Sequence, residues 1–232
     1  MRIDRGSYVH FGDRARRAAK MRRAIYAVGI LLAAAPIIAM RDAKDANAES
    51  APGGFSLPSG GEVRRLRDSM DALRGQIDLV AIQLDRAQAI IRYSARYGIG
   101  ADLAGDVFDL SQAEGIQPEL AFRLVKLESD FNERATSPVG AVGLTQLMMN
   151  TAVDYQKGLT KTALYDRHTN LRIGFRHLRG LLKRYDDNVN LALLVYNRGE
   201  GAVRSSRAAG LDPSNGYELK ILRGYTGSSI VR

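Results

Sequence analysis

From Val63 to Ile91 the apolar residues Val63, Leu66, Met70, Leu73, Ile77, Val80, Leu84, Ala87 and Ile91 recur three and four residues apart. Arg64, Arg65, Arg67, Asp68, Asp71, Arg74, Asp78, Asp85 and Arg86 occupy positions between them. That alternation is the a/d seam of a heptad repeat, whereas a strand would alternate every second residue. The segment must therefore fold as one long helix, about 43 Å at 1.5 Å per residue. Gly75 weakens the seam. Two uses of the stripe stay open: self-association or docking of a partner helix, and packing of one amphipathic helix on its own domain.

The residues before this helix are of a different kind. "ESAPGGFSLPSGGE" is rich in Gly, Pro and Ser and lacks apolar periodicity, so residues 41–62 read as a flexible linker. Ahead of it, Ala24 to Met40 is an uncharged apolar run of roughly 17 residues, at the short edge of what spans a bilayer as a helix. The first 23 residues hold eight basic side chains against Asp4 and Asp13, a charge of +6 out of the chain's +9, leaving +3 for the rest. Basicity is thus a feature of the N-terminus, not a nucleic-acid footprint on a folded face. A basic flank stays cytoplasmic. Residues 1–23 are then a cytoplasmic n-region, residues 24–40 a signal anchor or signal peptide, and the remainder lies on the periplasmic side, anchored in the inner membrane or secreted after cleavage. "ANA" at Ala46 to Ala48 offers a small-x-small cleavage pattern, but Arg41, Asp42, Lys44 and Asp45 separate it from the apolar run.

A chain of 232 residues accommodates one ordinary domain plus such appendages. Cysteine is absent, which excludes a disulfide framework, thiolate metal ligands and a Cys nucleophile. After residue 92 the pattern becomes short helices punctuated by glycines and capping residues. Asp102 can cap a helix running to Glu114, ended by Gly115; "IQPELAFRLVKLES" begins a second at Pro118. Further helices are expected over about Leu144–Tyr155, Thr169–Tyr185 and Asn188–Asn197, after Gly199, and at the end near Tyr225. A short hairpin fits only between Asn132 and Val142. In the second helix Ala121, Leu124, Val125 and Glu128 share one face at i, i+3, i+4 and i+7. A carboxyl on an apolar helix face is desolvated, which disfavours its charged form and lets it hold a proton near neutral pH. Such a group is the proton donor that glycosidic-bond cleavage requires.

Four ordered motifs accompany Glu128: "ES-x-FN" at Glu128–Asn132, "SPVGAVGLTQLM" at Ser137–Met148, "LYDRHTNLRIGFRHL" at Leu164–Leu178 and "ALLVYNRGEGAV" at Ala192–Val203. Together they resemble the soluble lytic transglycosylase (SLT) domain family, of the goose-type-lysozyme-like group, over roughly residues 90–225. The resemblance implies a mainly α, lysozyme-like catalytic domain at residues 92–232, preceded by the anchor segment and the long heptad helix at 63–91. It implies that Glu128 is the single catalytic acid/base and that the hydroxyl of Tyr196 touches it. It places Ser137, Gly143, Gln146, Met148 and Asn197 against the glycan, with Gly140 and Gly143 admitting close approach of the substrate. The implied reaction cleaves the β-1,4 bond between N-acetylmuramic acid and N-acetylglucosamine and closes a 1,6-anhydro ring.

Thr145, Met149, Asn150, Arg198 and Glu200 depart from the family pattern, in which "YNAGPGAV" is common. A hydrolase would need a second carboxylate, for which Asp130, Glu133, Asp154 and Asp166 are available without a spacing that selects one. A glycan-binding scaffold without catalysis is the alternative from another class. His168 and His177 lack an acidic ligand motif, so no metal is expected, and no other cofactor. Arg172, Arg176, Arg179, Lys183 and Arg184 form a basic helix face, read as solvated or facing acidic peptide stems.

Overall fold

The computed structural model describes residues 59–227. The basic n-region, the apolar run at 24–40 and the linker up to residue 58 lie outside the described residues. The chain divides into the units Met1–Arg65 and Leu66–Arg232. The described part is mainly helical: α1 Gly60–Tyr97, α2 Ala101–Ala113, α3 Pro118–Ser129, α4 Met149–Tyr155, α5 Arg167–Arg184, α6 Val189–Arg198, α7 Glu200–Ala208 and α8 Tyr217–Leu222. A single 3₁₀ turn, Thr162–Tyr165, precedes α5. Among the described residues no helix is long and apolar enough to cross a membrane.

The long helix starts three residues before the heptad pattern does, and its first turn shows why. The Ser59 amide donates to Glu62 Oε2 (2.7 Å) and the Glu62 amide to Ser59 Oγ (3.3 Å), a reciprocal capping box. At its other end α1 packs on the domain: Ala89 and Ile90 are buried, and Tyr93 stacks on Phe122 with ring centroids 4.0 Å apart and planes 8° apart. Arg96 pairs with Glu119 at 2.9 Å, and Arg86 with Asp109. Upstream, Leu66, Met70, Leu73, Ile77, Val80 and Leu84 stay exposed, Ile77 at 66%. Packing on its own domain therefore accounts for the last turns of the helix and not for the seam.

The main core joins α2, α3, α5, α6 and α8 around Phe122, Phe175, Leu120, Leu124, Leu178 and Leu193. Pro118 opens α3, where its missing N–H costs nothing. Asp130 and Phe131 close it in left-handed conformations, φ 52° and 62°, turning the chain sharply just after Glu128. The start of α2 differs from expectation: its N-cap is Gly100 without a side-chain bond, and Asp102 instead pairs with Arg167 at 3.1 Å. Its end agrees, with Gly115 at φ +72° following Glu114.

A second, smaller cluster of Val142, Leu147, Ala152, Leu159, Leu164 and Ile173 lies under the loop between α3 and α5. Here the expected helix from Leu144 shortens to one starting at Met149. Val142 and Leu147 exchange backbone hydrogen bonds (2.9 and 3.0 Å), closing a tight turn through Gly143 at φ +76° and Gln146 at φ +47°. Isolated bridges Thr136–Val142 and Val142–Leu147 are the remnant of a hairpin. The three-and-four spacing of Leu144, Leu147 and Thr151 imitates helical periodicity, but Leu144 feeds the main core and Leu147 the small one.

Candidate active site

Glu128 sits in the last turn of α3, half-buried between the apolar face of that helix and α8. Burial pushes its pKa up to about 7, and a hydrogen bond from Tyr217 works against that rise. Both effects follow from one rule: a low-dielectric surrounding disfavours the carboxylate, while a donor on its oxygen favours it. The Tyr217 hydroxyl donates to Oε1, which leaves Oε2 as the oxygen that can carry and deliver a proton. Tyr217 is itself buried, and desolvation together with the charge of Glu128 raises its pKa well above the ordinary tyrosine value, so it remains a neutral donor.

The resemblance assigned that contact to Tyr196. The structure gives it to Tyr217, and the Tyr196 hydroxyl donates to the Thr145 carbonyl at 2.9 Å. Tyr196 is still within electrostatic reach, since the Glu128 charge adds to the desolvation that raises its pKa. Its position rests on a chain of buried groups. Asn170 Oδ1 accepts from the Thr145 amide (2.9 Å) and hydroxyl (2.8 Å), and Asn170 Nδ2 donates to the carbonyls of Val142 and Leu164, each at 2.9 Å. Every hydrogen-bonding position of this buried amide is used, as burial demands. Asn170 thereby locks the loop carrying Thr145 and Gln146 onto α5.

Gly143 has a different reason from the one expected. It is buried, and a Cβ there would lie 2.3 Å from Asn170 Nδ2 and 2.8 Å from the Leu164 carbonyl oxygen. What its missing side chain admits is Asn170. Gly140, at φ +90°, has open space beside it. Ser129 ties the acid's helix to the same loop, its hydroxyl donating to the Leu144 carbonyl at 2.8 Å. Ser137 Oγ accepts from the Ala141 amide (3.0 Å), and Gln146 donates to the Gly143 carbonyl (3.0 Å), so both shape the loop.

Met148, Tyr196 and Asn197 share the wall of a cavity of about 710 Å³. Asn197 Oδ1 accepts from Asn215 Nδ2 at 2.8 Å. The structure thus groups the expected residues into an acid with its tyrosine, a loop built around Asn170, and a cavity wall. Tyr217 and Asn170 escaped the sequence reading: Tyr217 lies 89 residues from Glu128, and no spacing signals the pair. Asn170 was visible inside the third motif, though only its four partners reveal its role.

Of the carboxylates available to a hydrolase, Glu133 is bonded to Arg167 (2.9 Å), Asp166 caps α5 by accepting from the Thr169 amide (2.8 Å), and Asp130 pairs with Lys126. Asp154 lines the cavity. His168 pairs with Asp106 at 3.3 Å, and His177 Nδ1 bonds the Tyr155 hydroxyl at 3.2 Å. Among the described residues no cluster of three His, Cys, Asp or Glu could hold a metal. In the basic face, Arg176 pairs with Glu114 and Arg184 with Glu200, at 2.8 and 2.7 Å.

Residues 107–212 match the family described as the transglycosylase SLT domain. A transglycosylase of Enterobacteria phage PRD1 is 46% identical over 84 residues, covering 36% of this chain and 30% of the phage protein. The soluble lytic murein transglycosylase of Escherichia coli strain K12 is 33% identical over 96 residues, 39% of this chain and 15% of that protein. The crystal structure of the 70 kDa soluble lytic transglycosylase of Escherichia coli is similar at a TM-score of 0.46 and 23% identity, over 78% of this chain and 38% of that one. The chain therefore spans less than a third of the length of these two sequence relatives. Tyr217 falls beyond the matched residues.

Proposed function

From an SLT domain at residues 107–212, we propose that this protein is a peptidoglycan lytic transglycosylase that works with a single carboxyl group, Glu128. The observation that carries the reading is the state of that group: half-buried, held at Oε1 by Tyr217, with a pKa raised to about 7. Near neutral pH such a carboxyl is divided between its acid and base forms, the condition under which one residue serves both proton transfers.

The steps follow from this. Protonated Glu128 gives its proton to the glycosidic oxygen between N-acetylmuramic acid and N-acetylglucosamine, and the bond from that oxygen to the muramyl C1 breaks with oxocarbenium character. The carboxylate left behind removes the proton of the muramyl C6 hydroxyl. That oxygen bonds to C1, closing the 1,6-anhydro ring and restoring the acid, and no water is consumed. The substrate's own nucleophile is already tethered, so the site needs to orient it and not to activate an external one. Three of the four other carboxylates near in sequence are engaged by Lys126, Arg167 or the start of α5, which supports this route over hydrolysis.

Met148, Tyr196 and Asn197 would line the glycan path, with Ser137, Gly143 and Gln146 holding the loop beside it. The basic flank and apolar run at 1–40 would anchor the chain in the inner membrane with the domain on the periplasmic side. The exposed seam from Leu66 to Leu84 would pair with another helix, since a lone helix cannot bury such a stripe. Mass spectrometry of purified sacculi digested by the full chain tests the central claim. Muropeptides with anhydro ends are expected. Reducing ends that incorporate solvent oxygen would make the enzyme a hydrolase, and folded protein yielding no product would make it a glycan-binding scaffold.

A further inference from the structure

Two apolar stripes run along opposite sides of α1. Successive residues of a helix turn by about 100°. Ala89, Ile90, Tyr93 and Tyr97, which dock α1 on the helical domain, therefore lie roughly half a turn around the axis from Leu66, Met70, Leu73, Ile77, Val80 and Leu84. Arg86, bound to Asp109, is on the docked side as well. Ile91 fixes the orientation by itself: it carries the seam into the docked turns and is 61% exposed beside Ala89 and Ile90, which are both buried. The seam faces away from the domain, and among the described residues nothing covers it.

Upstream of the docked turns the docked side continues as Leu79 and Ile82, which are also exposed. That second stripe is broken by Asp68, Gly75 and Arg86, which fall on the same side. The seam carries no charged residue from Val63 to Ile91, so it is the stripe along which a second helix can lie for the whole length.

Resting on the reading that the seam pairs with another helix, we infer that this helix is α1 of a second copy of the chain, parallel and in register, in a two-stranded coiled coil with one domain on each outer side. The a positions hold β-branched Val63, Ile77 and Ile91, and the d positions include Leu66 and Leu73, the combination that favours two parallel strands. Beside the seam stand Glu62, Ser69, Gln76 and Gln83 at g, and Arg67, Arg74, Ala81 and Gln88 at e. In a parallel pair each g residue faces the e residue of the following heptad on the other chain. Glu62 then meets Arg67 of the second copy, Ser69 meets Arg74, and the remaining pairs are neutral. No like charges oppose each other, so an identical chain is a compatible partner. The outward-facing seam also lets two copies meet without bringing their domains into collision.

The chain has no cysteine, so a single introduced thiol reports on one position alone. Leu66→Cys and Ala87→Cys place it at d near the two ends of the seam, and Ile82→Cys places it on the docked side. Each full-chain variant is oxidised mildly and resolved without reductant. Covalent dimers are expected from Leu66→Cys and from Ala87→Cys separately, because a disulfide needs Cβ atoms about 4 Å apart. Adding Ile77→Asp should cut either yield by about 10-fold or more, since it buries an unpaired charge in the seam. Ile82→Cys should give no dimer. Cross-linking only in a mixture of Leu66→Cys with Ala87→Cys would mean antiparallel helices, in which like positions lie about 30 Å apart, and cross-linking of Ile82→Cys alone would move the interface to the other stripe. Either result overturns the inference, and so does wild type that sediments as a monomer. In that last case maleimide labelling separates two failures. Slower reaction at position 66 than at position 82 would keep a pairing helix but assign it to the same chain, and equally fast reaction would remove the pairing of the seam as well.

Discussion

Replacing Glu128 with glutamine should abolish cleavage and, at the same time, make the folded protein more stable above neutral pH. The pKa of Glu128 rises from 4.5 in the unfolded chain to about 7 in the fold, chiefly by desolvation. Below pH 4.5 the carboxyl is protonated in both states and costs nothing. As pH rises from 4.5 through 7 the unfolded chain releases the proton first, so stability is lost across that window and reaches its full loss above 7. A displacement of about 2.5 units corresponds to about 3 kcal/mol. Glutamine copies the protonated acid: its Oε1 still accepts from the Tyr217 hydroxyl, and it never charges. Denaturant or thermal unfolding of wild type and Glu128→Gln should therefore coincide near pH 4.5 and separate by up to about 3 kcal/mol at pH 8, several degrees in Tm. Cleavage of sacculi by the same preparation should fall by about 10² to 10⁴-fold or more, because the amide can neither give nor take the proton. Parallel stability curves from pH 4.5 to 8 would show that Glu128 is a solvated carboxylate, and activity within a few-fold of wild type would show that it is not the acid. Either result refutes the reasoning.

Tyr217→Phe removes the donor that holds the Glu128 pKa down, so the pH–activity profile should move to higher pH by about one unit, the worth of one hydrogen bond to a charged group; an unmoved profile would mean that the hydroxyl does not govern the acid. Gly174→Ala should destabilise by more than about 1 kcal/mol, since its Cβ would fall 2.3 Å from the Thr145 hydroxyl oxygen and displace Thr145 from Asn170; wild-type stability in urea would contradict that packing. Sedimentation of residues 51–232 should show association that Ile77→Asp disrupts, because Ile77 lies on the seam and is 66% exposed; a monomer indifferent to the substitution would leave the seam without a partner.

What the sequence determined by itself is what local chemistry can decide. Heptad spacing made α1 a helix, Pro118 opened α3, and the i, i+3, i+4, i+7 spacing of Ala121, Leu124, Val125 and Glu128 already put a carboxyl on an apolar face. Desolvation of Glu128 follows from that face, and the structure shows it. Local spacing misled where two cores compete for one segment, as at Leu144 and Leu147, whose helical rhythm conceals a tight turn. The rest was decided only in three dimensions. Whether Tyr196 or Tyr217 reaches Glu128 depends on how α6 and α8 cross α3, a matter of packing angles that no motif records. Gly143, legible as a glycine in a loop, owes its identity to Asn170, which arrives from 27 residues further along the chain by the docking of α5. A residue's type and its helix face are set by its neighbours in sequence, but its hydrogen-bond partner is set by the fold, because a buried polar group accepts whichever partner the packed elements bring within reach.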